Sequence, residues 1–340
     1  MIPIQTVLGP ISPDELGLTL VHEHFAVAYS GWECDPLSRP YKREKMVPLS
    51  LRAFGAVKDY GVQSIIDATP VDLNRDVDLL RELSEKLEIN IICSTGRYTE
   101  EMGRWAYLKV RQQNMIGDAM TELYEGFMQE TSSGIGSTGI KPGVIKVATG
   151  HQAISPLEEA VLRAAARASR ETGIPIITHT EGGTMGPEQA EILIQAGADP
   201  KRIMIGHMCG NASLDYHRSV LDKGVNIALD RFGIEMFVPD TVRIATLTGL
   251  LNNGYADRIM LSHDFIGCTS GRGGRLPEEA QQKVSHWSPV HLFRNIIPEL
   301  KQAGITDEQI RTMMVDNPRR MFEGFGQSGS NPKSPTLIQP

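Results

Sequence analysis

Residues 143–149 read GVIKVAT, a short run of apolar and β-branched side chains with one lysine inside it. This is the pattern of a strand buried on both faces, the kind from which parallel sheets are built. Seven more runs share it: LGLTLVH (16–22), QSIIDAT (63–69), NIICST (90–95), IPIITH (174–179), RIMIGH (202–207), VNIALD (225–230) and RIMLSHD (258–264). Between several of them lie amphipathic stretches, LNRDVDLLRELSEKL (73–87), SPLEEAVLRAAARASRETG (155–173) and GPEQAEILIQAG (186–197), each opened or closed by Ser, Pro or Gly. Eight strand–helix units are the count of a (β/α)8 TIM barrel, an α/β fold in a single domain. A doubly wound open sheet is the alternative, and the absence of GxGxxG or GxxxxGK[ST] after a strand counts against a nucleotide fold.

A chain of 340 residues with 41% hydrophobic side chains is long enough for one such barrel with a large core. The expected domain covers residues 1–325. The remaining 326–340, GQSGSNPKSPTLIQP, read as a flexible tail. A net charge of −7, with Lys and Arg scattered, excludes the basic footprint of a nucleic-acid binder. No run approaches the roughly 20 apolar residues that span a bilayer, and the start lacks the pattern of a signal peptide. Cys34, Cys93, Cys209 and Cys268 form no CxxC pair. They read as reduced thiols, and the protein as cytoplasmic.

In a (β/α)8 barrel the site lies at the C-terminal mouth of the strands, so polar residues ending apolar runs are candidate functional groups. Here the runs supply His22 and His24, Lys146, His179, His207 and Asp264. An extended segment shows every second side chain on one face, so VHEH permits a two-tooth chelate. Its spacing is not that of the zinc-protease helix HExxH. Imidazole and carboxylate ligands suit zinc, cobalt, manganese or iron. Six groups exceed the needs of one tetrahedral ion, so two divalent metals about 3.5–4 Å apart, bridged by something anionic, are expected. Lys146 lies inside an apolar strand where an ammonium is costly, and an amine that captures carbon dioxide becomes such a bridge. A core lysine paired with an acid is the plainer alternative.

HxH on the first strand, lysine on the fourth, histidines on the fifth and sixth and aspartate on the eighth resemble the phosphotriesterase family of the amidohydrolase superfamily. TLVHEH, GVIKVAT, IPIITHT, RIMIGH, IALDRFG, RIMLSHD and DNPRRMF are similar to the phosphotriesterase-like lactonases in particular, over residues 3 to 323. The resemblance implies that His22, His24 and Asp264 bind a more buried metal and His179 and His207 a more exposed one. Carboxylated Lys146 and a hydroxide would bridge them, zinc being the first choice of metal. The hydroxide would attack a lactone or phosphotriester, with Asp264 taking its proton. Tyr98, in STGRYTEE, matches a tyrosine near the metals, and Arg231, in IALDRFG, an arginine at the pocket mouth. Small lactone or ester substrates and a homodimer are the implied partners.

Three departures bear on substrate and proton transfer. Gly210 stands where relatives often carry an aspartate, Asn74 precedes Arg75 in a loop where many lactonases have glycines, and the loop FIGCTSGRGGRLPEEAQ after Asp264 is glycine-rich and basic. Arg272 and Arg275 could meet an anionic substrate or simply be solvated. His151 could touch substrate, His263 is expected to pack away from the interior, and Trp32 and Trp287 could wall the pocket or cap the barrel. The expected activity is lactone hydrolysis with slower organophosphate triester hydrolysis. An amidase or phosphate-ester hydrolase on the same metals, a metal-holding binding protein and a plain scaffold are the alternatives.

Overall fold

A computed structural model describes residues 3–323 apart from Gly273 and Arg275. The expected tail and Arg275 therefore lie outside the described residues. Eight strands, Leu18–Glu23 (β1), Val62–Asp67 (β2), Asn90–Gly96 (β3), Val144–Thr149 (β4), Ile176–Thr180 (β5), Ile203–Ile205 (β6), Asn226–Leu229 (β7) and Ile259–Leu261 (β8), form one sheet in sequential order. Every neighbouring pair in that order is parallel. Past the end of β8, Asp264 N donates to His22 O at 3.0 Å, His24 N to Phe265 O at 2.9 Å and Gly267 N to His24 O at 2.8 Å. The sheet thus closes on itself as the expected TIM barrel, and its closing seam runs through three candidate ligands.

Helices follow the strands on the outside, and their ends obey local chemistry. Pro156–Thr172 starts at a Ser155/Glu158 capping box and stops at Gly173, whose φ of 76° suits a residue without Cβ. The stretch expected to be helical from residue 73 instead starts at Val77. Residues Val71–Leu73 form a 3-10 turn, Asn74 takes the left-handed conformation at φ 66°, and Asp76 caps the helix by accepting from Leu79 N. Side-chain capping at Asp76 outweighs the apolar periodicity that extends further back. After β3 the chain inserts two helices, Ala106–Gln113 and Ala119–Ser133.

The core has two layers. Outward-facing side chains such as Ile65, Ile91, Ile145 and Leu261 pack on the helices, while Val21, Ile66, Ile92, Val144, Ile177, Met204, Ala228 and Met260 fill the barrel interior. Met321 and Phe322 of the last helix, Asn317–Glu323, join that interior layer together with Ile4 and Leu16. Arg202 ties this helix down, donating to Phe322 O and Glu323 O at 3.0 Å each.

One irregularity matters for the site. Leu20 pairs with Ile65 and Glu23 with Asp67, so β1 takes three steps where β2 takes two. This is a bulge over Val21 and His22, and a bulge re-aims side chains. It lets Val21 pack in the barrel interior while His22, next in sequence, also reaches the centre.

Phe322→Ala is expected to destabilise the protein by about 3 to 5 kcal/mol. Calorimetry would then show a melting temperature lower by several degrees with the circular dichroism of the folded state unchanged. An unshifted melt would mean that the last helix is not part of the barrel core.

Candidate metal centre

The candidate histidines and Asp264 sit at or just beyond strand ends, Lys146 lies inside β4, and each imidazole has one nitrogen engaged by a neighbouring side chain. His22 Nδ1 lies 2.8 Å from Asp230 Oδ2, and His207 Nδ1 lies 2.9 Å from Asp230 Oδ1, which also accepts from His207 N at 2.9 Å. A carboxylate accepts only, so both Nδ1 atoms carry the proton and both Nε2 atoms keep their lone pairs. His24 Nδ1 meets Thr69 Oγ1 at 2.8 Å, again leaving Nε2. His179 is turned the other way: Nε2 lies 2.9 Å from Glu181 Oε2, which leaves Nδ1. Fixing the tautomer through the rear nitrogen is how proteins orient metal-binding histidines.

The free nitrogens of His22, His24 and His207 converge on Asp264. Its Oδ1 stands 3.2 Å from His24 Nε2 and 3.6 Å from His22 Nε2. Its Oδ2 lies 3.7 Å from His207 Nε2 and accepts from Arg231 Nε at 2.9 Å. The ligand atoms of His22, His24 and Asp264 all fall within 4.8 Å of one another, a spacing suited to one metal ion. The set of His22, His207 and Asp230 is equally close, but Asp230 approaches both rings through their protonated nitrogens and so acts as their anchor. Lys146 Nζ lies 2.8 Å from His22 Nε2, and the His179 ring meets that of His207 edge-on with centroids 4.5 Å apart. The structure therefore brings all six sequence candidates together. His207 and Asp264 reach their places with left-handed backbones, φ 56° and 53°. Such conformations are rare away from glycine and gather at functional sites.

Burial sets the electrostatics. It pushes His22, His179 and His207 below the ordinary histidine value, His179 to about 4, so the rings are neutral near pH 7 with lone pairs to offer. Lys146, buried beside His22, is brought down to about 7 by the same desolvation, against the pull of Asp264 and Asp230. Burial raises Asp264, but the electrostatic pull of the His207 ring and of the Arg231 guanidinium, with the hydrogen-bonding contact of His24, outweighs it and holds the carboxyl well below its usual range. Neutral imidazoles and an ionised carboxylate are donors that divalent zinc, cobalt, manganese or iron takes.

A small pocket lies over the centre, bounded by Val27, Tyr29, Leu73, Tyr98, Arg231 and Ile266. Tyr98 sits edge-on to His179, centroids 4.9 Å apart, and burial raises its phenol so that it keeps its proton. A larger groove opens at the starts of β2 and β3, where Glu15, Lys58 and Gln63 line it and no group of described residues is placed to hold a metal ion.

A Cβ at Gly210 would stand 2.8 Å from Gly183 N, so the loops after β5 and β6 touch backbone to backbone and leave no room for an aspartate there. Arg75 is a structural group, paired with Glu130 at 2.6 Å and donating to Ser94 O. Arg272 is engaged by Asp35 through both carboxylate oxygens, at 2.7 and 2.9 Å. His151 is exposed and is not part of the pocket wall. His263 packs against Glu23 and Leu292 N, and Trp287 donates to His263 O at 2.9 Å outside the pocket. Sequence reasoning missed Asp230, although it is the polar residue ending the run VNIALD and the strand-end rule pointed to it. It also missed Thr69, Glu181 and Glu23.

The phosphotriesterase family model matches residues 2–322. An organophosphorus hydrolase from Deinococcus radiodurans is similar in structure, with a TM-score of 0.91 at 45% identity, covering 94% of this chain and 97% of that one. An aryldialkylphosphatase of Saccharolobus solfataricus is 33% identical over 92% of this chain and 96% of its own. A phospho-furanose lactonase of Mycoplasmopsis synoviae is 31% identical over 94% and 91% respectively.

Metal-free protein should lose stability on acidification, measured as melting temperature against pH. His22, His179 and His207 bind protons less readily when folded than when unfolded, so unfolding takes up protons as pH falls from about 6.5 towards 4. Asp264, depressed when folded, works in the same direction at lower pH. A flat melting temperature between pH 7 and 4 would contradict the neutral-imidazole centre.

Proposed function

The chain belongs to the phosphotriesterase family, whose members named above are ester hydrolases, and from that premise we propose a lactonase that also hydrolyses organophosphate triesters more slowly. The observation that carries the reading is the convergence of His22, His24, Lys146, His179, His207 and Asp264 beneath one pocket. His22, His24 and Asp264 would hold one divalent cation and His179 and His207 a second, zinc being the first choice. Two such ions supply a water ionised near neutral pH and a Lewis acid for a carbonyl or phosphoryl oxygen.

The chain's own groups do the rest. Lys146, an amine brought down to about 7, presents a nitrogen lone pair. Attack of that lone pair on the carbon of carbon dioxide would form an N–C bond as one C=O π pair moves onto oxygen, with one amine proton passing to solvent, and the resulting carbamate would add two anionic oxygens to the residues that would hold the cations. Asp264 receives the proton of the attacking water on a carboxylate oxygen, and Arg231, held to Oδ2, fixes that carboxylate on the pocket side. Tyr98 keeps its hydroxyl proton and offers it as a hydrogen bond to the substrate oxygen. With Gly210 in place of an acid, protons leave Asp264 directly to solvent. The apolar wall of Val27, Leu73 and Ile266 suits an uncharged ring better than an anion.

The expected result with metal-loaded enzyme is turnover of a γ-lactone well above that of an aryl phosphotriester. Lys146→Ala should lose at least 1000-fold in kcat and most of its metal, with partial rescue by short carboxylic acids in place of the carbamate. Turnover of amides or phosphate monoesters without any lactone would sink the reading.

We also infer a homodimer and a cytoplasmic setting. Tyr107, Met115 and Ile116 are 74%, 92% and 58% exposed, an apolar surface suited to a second copy. The four cysteines are free, as a reducing compartment keeps them. Analytical ultracentrifugation should give twice the chain mass, and Met115→Lys combined with Ile116→Lys should give monomer. A wild-type monomer at micromolar concentration would refute the pairing.

A further inference from the structure

The residue between the two chelating histidines is itself fully buried, yet it faces no metal ligand. Glu23 Oε1 accepts from Ser262 Oγ at 2.8 Å, from His263 N at 3.1 Å and from His263 Nδ1 at 2.8 Å, and Oε2 accepts from Phe265 N at 2.7 Å. Leu292 N donates to His263 Nε2 at 3.0 Å, so Nε2 is the acceptor and Nδ1 carries the hydrogen given to Glu23. Ser262 Oγ in turn accepts from His22 N at 3.0 Å. Four donors therefore come from residues 262, 263 and 265, and they bracket the one residue of this stretch that faces the centre, Asp264. We propose that Glu23 is a positioning residue that holds Asp264 in its left-handed conformation and so aims its carboxylate at His22, His24 and Arg231.

The physical reason is over-determination. Asp264 has φ 53°, a backbone state that a β-carbon disfavours and that persists only where neighbours pin it. Its own N–H is tied to His22 O, and the backbone N–H groups on either side, at His263 and Phe265, both end on one carboxylate. Relaxing either would let the chain turn at Asp264 and move the carboxylate off His24 Nε2. Glutamate is suited because a carboxylate offers lone pairs on both oxygens. Glutamine has the same shape, but its amide nitrogen would face a donor, leaving either Phe265 N or the group of Ser262 and His263 without an acceptor. Aspartate is one methylene too short to reach. The HEH motif on this view carries two ligands and, between them, the group that sets the third.

The proposal rests on the metal reading above, and the test keeps the two apart. Apo-protein is titrated with cobalt(II), followed by the visible d–d bands and by stoichiometry, for wild type, Glu23→Gln, Ser262→Ala and Phe322→Ala. Wild type taking up no cobalt would refute the metal reading. For Glu23→Gln we expect affinity at the site of His22, His24 and Asp264 to fall at least 10-fold, with altered d–d bands, while the site of His179 and His207 changes less than 3-fold. Lactone kcat should fall about 10- to 100-fold with KM within 3-fold, in line with the loss of groups that orient metal ligands. Ser262→Ala removes one of the four donors together with the acceptor of His22 N, so it should weaken the same site by a smaller factor, and an unchanged site in this variant overturns the assignment even if the glutamine variant folds poorly. Phe322→Ala should lower the melting temperature and leave the cobalt spectrum unchanged. Unaltered cobalt binding in Glu23→Gln, or equal loss at both sites, overturns the assignment. A crystal structure of metal-free Glu23→Gln decides independently of any metal: Asp264 still at its left-handed φ and still on Arg231 would overturn it as well.

Discussion

Closing a parallel sheet into a barrel requires its first and last strands to find hydrogen-bond partners, since an open edge inside the fold would leave backbone groups unpaired. In this protein the closing bonds are made by the residues that form the centre. His22 O, His24 N and His24 O are joined to the chain at Asp264, Phe265 and Gly267. The seam cannot be made without bringing His22 and His24 against Asp264, and this cluster cannot loosen without disturbing the closure of the barrel. The bulge in β1 and the left-handed turn at Asp264 are the local distortions by which one seam serves both ends.

The second constraint is desolvation. Burying a set of ionisable groups is costly unless each is neutral or partnered, and the centre meets that demand group by group. Three imidazoles are held neutral by burial. Asp230, fully buried, is satisfied by two ring N–H groups and a backbone N–H. Asp264 is balanced by Arg231, and burial lowers Lys146 towards the neutral amine, which costs less to bury than an ammonium. Because the imidazoles are fixed from behind, ordering them costs little when an ion arrives, which is the advantage of a preorganised site.

The rim is built on different terms. Both oxygens of Asp72 accept from Tyr98 N at 3.0 Å, fixing the loop that carries the pocket tyrosine. Gly183 and Gly210 press the loops after β5 and β6 together at backbone distance. Arg272 staples its loop to Asp35 rather than standing open to ligand. Loops vary more readily than the barrel beneath them, so specificity resides here while the chemistry stays with the strands.

How much of this was legible in the sequence follows from how local each feature is. Eight apolar runs with polar ends determined the barrel and the six residues at its mouth, because strand burial and side-chain alternation are properties of a few consecutive residues. Start and stop signals set the helix at Pro156–Thr172, while the one expected from residue 73 shifted to Val77 because a single capping carboxylate outweighed periodicity. Only the tertiary structure decided which nitrogen of each histidine faces the centre. That choice depends on Asp230, Thr69 and Glu181, and for His22 the partner is 208 positions away. Glu23 likewise reads as a spacer between two histidines until the barrel closes and sets it against residues about 240 positions later. Which side chains gather at the barrel mouth was written in residue type and strand position; how each is oriented was not, because hydrogen bonds across the closing seam exist only once distant strands meet.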